Sequence, residues 1–214
     1  ELLEQLRRLG EQTRANQPLA ERIRHKYRLK NTTGYGINAL VDFEDPVEIL
    51  KHLMIGSEGT LGFISAITYR TVPDYPDKAA ALIYFPDIHT ACTATTLLKE
   101  TPVSAVELLD RASLRSVQHM PGMPDDLAEL PEGTTALLVD VRGADDDQLE
   151  QNIQIICQTL TDIPVLRPLK FTRDPETYES YWNVRKGTFP AVGANRVIGT
   201  TVIIEDVAFP LERL

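Results

Sequence analysis

Cysteine, tryptophan and long apolar runs are scarce in this 214-residue sequence, which holds two cysteines and one tryptophan. No hydrophobic stretch approaches the roughly 20 residues that a membrane-spanning helix needs. The opening residues also lack the charged-then-apolar layout of a secretory signal. Cys92 and Cys157 each sit inside an apolar helical pattern, far from any second ligand-type residue. A disulfide scaffold or a zinc site is therefore not expected; both read as small buried hydrophobes in a reducing, cytoplasmic setting. The four histidines (His25, His52, His89 and His119) have no paired metal-ligand spacing, so no metal site is expected. Positive charge is also in deficit. A formal net charge of -9 and a pI near 5.0 exclude general nucleic-acid binding, which needs a basic surface to neutralise phosphates.

What is present is enough for one large domain or two small ones, with 43% hydrophobic and 25% charged residues. Against the acidic total, the first thirty residues hold eight basic side chains and four acidic ones. That segment suits an anionic cofactor, a partner domain or plain solvent, and composition does not choose among them. Leu2, Leu3, Leu6 and Leu9 recur at helical spacing, with Gly10 as a natural stop. Pro18, Leu19, Ile23 and Tyr27 predict a second helix running to about Leu29. Residues 31–38 read as a structured loop, and Asp45 caps a short helix carrying Ile49, Leu50, Leu53 and Met54.

The β-branched and aromatic run Phe63–Val72, closed by Pro73 and Pro76, predicts a strand. After it comes the expected domain boundary, with residues 1–76 on one side and 77–214 on the other. The second part reads as strand Ala79–Phe85, helix Ile88–Lys99, strand Ser104–Asp110, strand Thr134–Val141, helix Asp147–Leu160 and strand Val165–Phe171. This β-α-β-β-α-β order predicts an α+β, ferredoxin-like antiparallel sheet. A helix over Pro175–Val192, capped by Asp174, and a strand over Val197–Val207 follow. The chain stops as Pro210–Arg213 begins another amphipathic element, which reads as an internal piece of a longer protein.

Two features could carry chemistry. In Gly56-Ser57-Glu58-Gly59-Thr60-Leu61-Gly62, three glycines within seven residues let the backbone approach an anion or ring closely, and Ser57 and Thr60 add hydroxyl donors. The run is neither a dinucleotide fingerprint nor a Walker loop. Arg185 is the second, singled out by the family resemblance that follows; chemically, a planar guanidinium suits two-pronged pairing with a carboxylate at any relevant pH. An ordinary helix-to-strand turn and a solvent-facing or salt-bridged arginine are the plain alternatives.

Lys30-Asn31-Thr32-Thr33-Gly34-Tyr35, then Ile55 to Gly62, then a run ending Thr71-Val72-Pro73 together resemble the FAD-linked oxidase family, typified by D-lactate, glycolate and D-2-hydroxyglutarate dehydrogenases. The resemblance implies the C-terminal part of an FAD-binding domain followed by a substrate, or cap, domain with a ferredoxin-like sheet. It places Asn31, Thr32, Tyr35, Gly56, Ser57, Glu58, Gly59, Thr60, Gly62 and Ile64 beside FAD. Trp182-Asn183-Val184-Arg185 resembles the family segment whose arginine faces the substrate carboxylate. The implied partners are a small 2-hydroxyacid substrate and the remaining parts of the parent chain. The family's histidine-rich stretch, which supplies metal ligands and a base, has no counterpart in these 214 residues, so the piece alone is expected to be inactive. The alternative from another class is a non-catalytic ferredoxin-like binding or regulatory module.

Overall fold

A computed structural model describes residues 1–119, 123–194, 197–200 and 209–213. The chain divides into two compact units, Glu1–Thr71 with the last described residues, and Val72 onward.

The described part of the first unit is helical. Helix α1 spans Leu2–Ala15, α2 Gln17–Lys26, α3 Ala39–Asp42 and α4 Pro46–Met54. Asn16 and Asp45 cap α2 and α4, accepting bonds from Leu19 N (3.3 Å) and Val47 N (2.9 Å). A small core joins Leu6, Leu40 and Ile49. Gly10 does not stop α1, contrary to the sequence reading. The helix runs through it because α4 packs so closely that a Cβ there would meet Ile49 Cδ1 at 3.0 Å and Arg14 Nη1 at 2.9 Å. The Arg14 guanidinium is itself held by the carbonyls of Leu40 (2.9 Å) and Phe43 (2.7 Å).

A strand is expected over Phe63–Val72; among the described residues no strand pairs with this run, and Phe63 is 91% exposed and Val72 84%. High β-propensity means that a side chain fits a pleated, half-buried surface, which none of the described strands supplies to this run.

The second unit is built on β1 (Asp77–Phe85), β2 (Val103–Leu109) and β3 (Thr135–Gly143), all antiparallel pairs in the order β1-β3-β2. Helix α5 (Ile88–Leu98) crosses from β1 to β2, α6 (Arg111–Val117) follows β2, α7 (Asp146–Thr159) follows β3, and α8 (Pro175–Ala194) comes last. Asp87, Asp110, Asp145 and Asp174 cap these four helices. The architecture is α+β.

Alternation sorts the sheet into two faces. Ala79, Ala81, Ile83 and Phe85 of β1 and Leu137, Val139 and Val141 of β3 pack with Ala94 and Leu98 of α5 and Leu149 and Ile156 of α7. Each large side chain buried there contributes about 1.5–3 kcal/mol. The other face, with Tyr84, Leu109 and Ala136, is covered by Leu114 and Val117 of α6 and Val184 of α8.

The expected strand Val165–Phe171 is also corrected. The segment lies along β1, with Leu166 N donating to Tyr84 O (2.8 Å) and Ala80 and Thr172 exchanging a bonded pair (2.8 and 3.0 Å). Between these ends Pro168 has no N–H to give, so the ladder fails although Val165, Leu169 and Phe171 still reach the core. Most of the strand expected over Val197–Val207 lies outside the described residues; within it, Thr200 N donates back to Val197 O (3.1 Å) in a turn.

Candidate functional site

Two groups of residues stand out, one in each unit. In the first, α4 ends at Met54 and the chain enters the glycine-rich loop. Gly56 (φ 75), Glu58 (φ 50) and Gly59 (φ 78) adopt the left-handed conformation. A Cβ built on Gly56 or Gly59 would meet nothing within 4 Å, so backbone conformation, not crowding, demands glycine there. Glu58 accepts the same conformation with a side chain, a strain of about 1 kcal/mol or more that concentrates at functional loops.

The hydroxyls of this loop act differently from the sequence reading. Ser57, only 3% exposed, donates its Oγ–H to Met54 O (2.9 Å), and Thr60 donates its Oγ1–H to Ser57 O (2.6 Å). Both protons satisfy loop carbonyls, so these side chains rigidify the loop and are not free to donate to a ligand. Beyond the loop an open groove of about 1050 Å³ is lined by Met54, Ile55, Phe63, Ile64, Ile67 and Tyr69 with the loop glycines, and by the polar Lys51, Ser57, Glu58 and Thr68. Its walls are mainly apolar and aromatic.

Tyr35 is brought to this loop: its hydroxyl lies 3.0 Å from Thr60 Oγ1, and since the Thr60 proton is committed, Tyr35 donates. Tyr27 in turn donates to Tyr35 O (2.8 Å). Asn31 and Thr32 are not part of the groove. Asn31 Oδ1 accepts from Thr33 N (3.1 Å) and Thr33 Oγ1 (2.8 Å), and both residues line a separate cleft of about 540 Å³ with Arg22, Lys26 and Lys30.

In the second unit the candidate residues lie where α8 covers the sheet. Asp140 of β3 is 1% exposed and stands between Ala80 of β1 and Ala105 of β2. Tyr178 of α8 donates to Asp140 Oδ2 at 2.8 Å. Burial, and then this bond to a carboxylate, raise the Tyr178 pKa; the nearby Trp182 indole pulls the other way without reaching hydrogen-bond geometry. Arg142 Nε lies 3.6 Å from Asp140 Oδ1, while its Nη1 donates to Asp74 Oδ1 at 3.0 Å.

Seven residues after Tyr178, on the same face of α8, Arg185 donates Nε–H to Glu107 Oε2 of β2 at 2.8 Å. Lys186, one residue on, pairs with Glu179 (3.1 Å). Arg196 lies outside the described residues. Sequence reasoning singled out Arg185 but missed Asp140, Tyr178 and Glu107. A signal existed: Asp140 interrupts Leu137-Leu138-Val139, and Glu107 stands between Val106 and Leu108, so both are carboxylates inside apolar strands.

Among the described residues no group of three or more His, Cys, Asp or Glu side chains could hold a metal ion, and no helix is long and apolar enough to cross a membrane. Residues 76–214, more than half of the chain, match the family described as FAD linked oxidases, C-terminal domain. The chain belongs to the FAD-linked oxidase family. It is 32% identical over 167 residues to an Arabidopsis thaliana protein named D-lactate dehydrogenase (cytochrome), mitochondrial, the match covering 77% of this chain and 28% of that protein. It is 26% identical to glycolate oxidase subunit GlcD of Escherichia coli strain K12, over 67% of this chain and 28% of the relative. A D-2-hydroxyglutarate dehydrogenase of Arabidopsis thaliana is 24% identical, over 77% of this chain and 29% of the relative. The chain thus spans under a third of the length of these relatives.

Proposed function

We propose that this FAD-linked oxidase chain is part of a flavin-dependent dehydrogenase that oxidises a small D-2-hydroxyacid, of lactate, glycolate or 2-hydroxyglutarate type, to the 2-oxoacid. The observation that carries the reading is the loop Gly56–Gly62: left-handed backbone at three positions, open outward, beside an apolar and aromatic groove. That combination fits one wall of a flavin site, where backbone must approach a flat ring and no side chain may intervene. When bound, FAD supplies the hydride acceptor.

The chain's own residues do the rest of what is assigned here. Gly56, Glu58, Gly59 and Gly62 present backbone, and Ile64 with Phe63 supplies an apolar wall that excludes water. Ser57, Thr60 and Tyr35 hold the loop in shape through the bonds described above. Asn31 and Thr32 belong to the adjoining cationic cleft, which suits the anionic part of the cofactor. Arg185 holds the substrate carboxylate and so fixes the orientation of C2, a positioning effect.

In this reading residues 1–76 are the C-terminal part of the FAD-binding domain and 77–214 the substrate domain. The matched region is under a third of each relative, and in this reading these 214 residues alone do not turn over substrate. Cys92 and Cys157 are free thiols, which suits a reducing, cytoplasmic compartment.

The test is steady-state turnover of D-lactate, glycolate and D-2-hydroxyglutarate by the FAD-loaded full-length protein. Arg185→Ala is expected to lower kcat/KM for the accepted acid about a hundredfold, the usual scale for losing a charge-assisted pair to a bound carboxylate. An unchanged kcat/KM would remove Arg185 from the site.

A further inference from the structure

Arg185 has a carboxylate partner of its own in this structure, and the way the two meet is informative. Glu107 sits in β2 opposite Leu138 of β3, and so on the face of the sheet that Asp140 and α8 share. Its Oε2 accepts from Arg185 Nε at 2.8 Å, and among the described residues it is the only group paired with this guanidinium. The pair is half-open: the two side chains are 45% and 36% exposed.

A guanidinium offers five N–H groups, one on Nε and four on the two terminal nitrogens. A carboxylate standing where a substrate carboxylate would bind end-on would engage both terminal nitrogens as a fork. Glu107 instead takes the side of the group, at Nε, and among the described residues nothing is paired with the forked end. Arginine reaches this place on a long, rotatable stem from α8, whose own position is tied to β3 by the bond from Tyr178 to Asp140. Helix position alone does not fix where the fork points; the bond to Glu107 does.

We propose that Glu107 is a positioning residue for substrate binding, holding Arg185 by its Nε so that Nη1 and Nη2 face the carboxylate of the 2-hydroxyacid; this rests on the carboxylate role assigned to Arg185 above. The role needs an acceptor atom more than a charge. Loss of the acceptor frees a rotamer-rich side chain that must then be ordered by the substrate, an effect of about tenfold in apparent affinity. Loss of charge alone, with the acceptor kept, leaves the orientation intact.

Three variants of the FAD-loaded full-length protein test this: Glu107→Ala, Glu107→Gln and Arg185→Ala. Flavin absorbance checks that each retains cofactor, and KM and kcat are measured separately for the accepted hydroxyacid. Glu107→Ala is expected to raise KM about tenfold, with a smaller change in kcat. Glu107→Gln should stay within about threefold of wild type, because its amide oxygen still accepts the Nε–H. If Glu107→Ala does not fold, Glu107→Ser makes the same comparison.

Unchanged KM in Glu107→Ala, or a rise that glutamine does not rescue, overturns the proposal. So does a fall in KM in both variants, which would make Glu107 a competitor for the fork. These failures are separable from failure of the functional reading. If Arg185→Ala leaves KM untouched, the carboxylate role itself is wrong; if it raises KM while Glu107→Ala does not, only Glu107 has been misassigned.

Discussion

Tyr178→Phe removes one hydrogen bond from a carboxylate that is 1% exposed, and its cost can be worked from the structure. The aromatic ring is kept, so the change reports chiefly the hydroxyl. A hydrogen bond to a charged group contributes about 1.5–3 kcal/mol, and a buried carboxylate that loses a donor keeps its desolvation penalty. Among the described residues Asp140 then retains only Arg142, whose Nε stands 3.6 Å from Oδ1. We therefore expect a loss of about 2 kcal/mol at neutral pH, or about 4–8 °C in Tm for a chain of this size. Trp182 is the only tryptophan in the sequence and lies one turn beyond Tyr178 on α8, so its fluorescence during urea unfolding reads this helix directly. In an Asp140→Asn background the same substitution should cost about 1 kcal/mol or less, the range of a neutral bond. A loss below about 0.5 kcal/mol in the wild-type background, or an equal loss in both backgrounds, would refute the reasoning.

Other outcomes follow from the same coordinates. Gly10→Ala gains helix propensity but places a methyl 3.0 Å from Ile49 Cδ1, beside a guanidinium pinned by two carbonyls; it should destabilise by about 1 kcal/mol in thermal unfolding, and a gain would contradict the close packing of α1 on α4. Arg111 is buried with Nε and Nη1 lacking hydrogen-bond partners, so Arg111→Met should stabilise by about 1 kcal/mol or more; a loss of that size would mean that the guanidinium is compensated by an anion. Tyr84 has its pKa pushed up to about 12, mainly by burial, against the opposing charge of Arg167. Its folded pKa exceeds the unfolded value of 10.0, so its contribution to stability is complete below that value and is lost as pH rises from 10.0 to about 12. Urea unfolding across that window should show a steeper decline for wild type than for Tyr84→Phe, and parallel curves would be the contrary result.

Two strands of the sheet were legible because they obey one rule: Ala79–Phe85 and Thr135–Val141 are largely apolar runs bounded by turn residues, and the helix after each begins at an aspartate cap. The misreadings are places where a local signal was outvoted. Gly10 looked like a stop because sequence alone does not reveal that α4 lies against it. Phe63–Val72 has every local mark of a strand, yet none of the described strands pairs with it, and a partner is something local sequence cannot supply. Val165–Phe171 alternates correctly, but Pro168 removes the donor in its middle.

The candidate site shows the same division. The glycines at 56 and 59 were readable because left-handed backbone leaves a compositional trace, whereas the roles of Ser57 and Thr60 were not, since a hydroxyl serves a ligand or a loop carbonyl equally well in sequence. Arg185 could be named, but its partner Glu107 lies 78 residues away in β2, and only the fold brings them together.

The central claim is that the loop Gly56–Gly62 and the helix bearing Arg185 serve the oxidation of a small 2-hydroxyacid by a flavin. Its most direct test is to mix the FAD-loaded full-length protein with D-lactate, glycolate or D-2-hydroxyglutarate in the absence of oxygen and any other acceptor, and to follow the flavin absorbance. We expect at least one of the three acids to bleach the oxidised flavin band stoichiometrically, with the rate cut about a hundredfold in Arg185→Ala. A flavin that stays oxidised with all three acids would contradict the account.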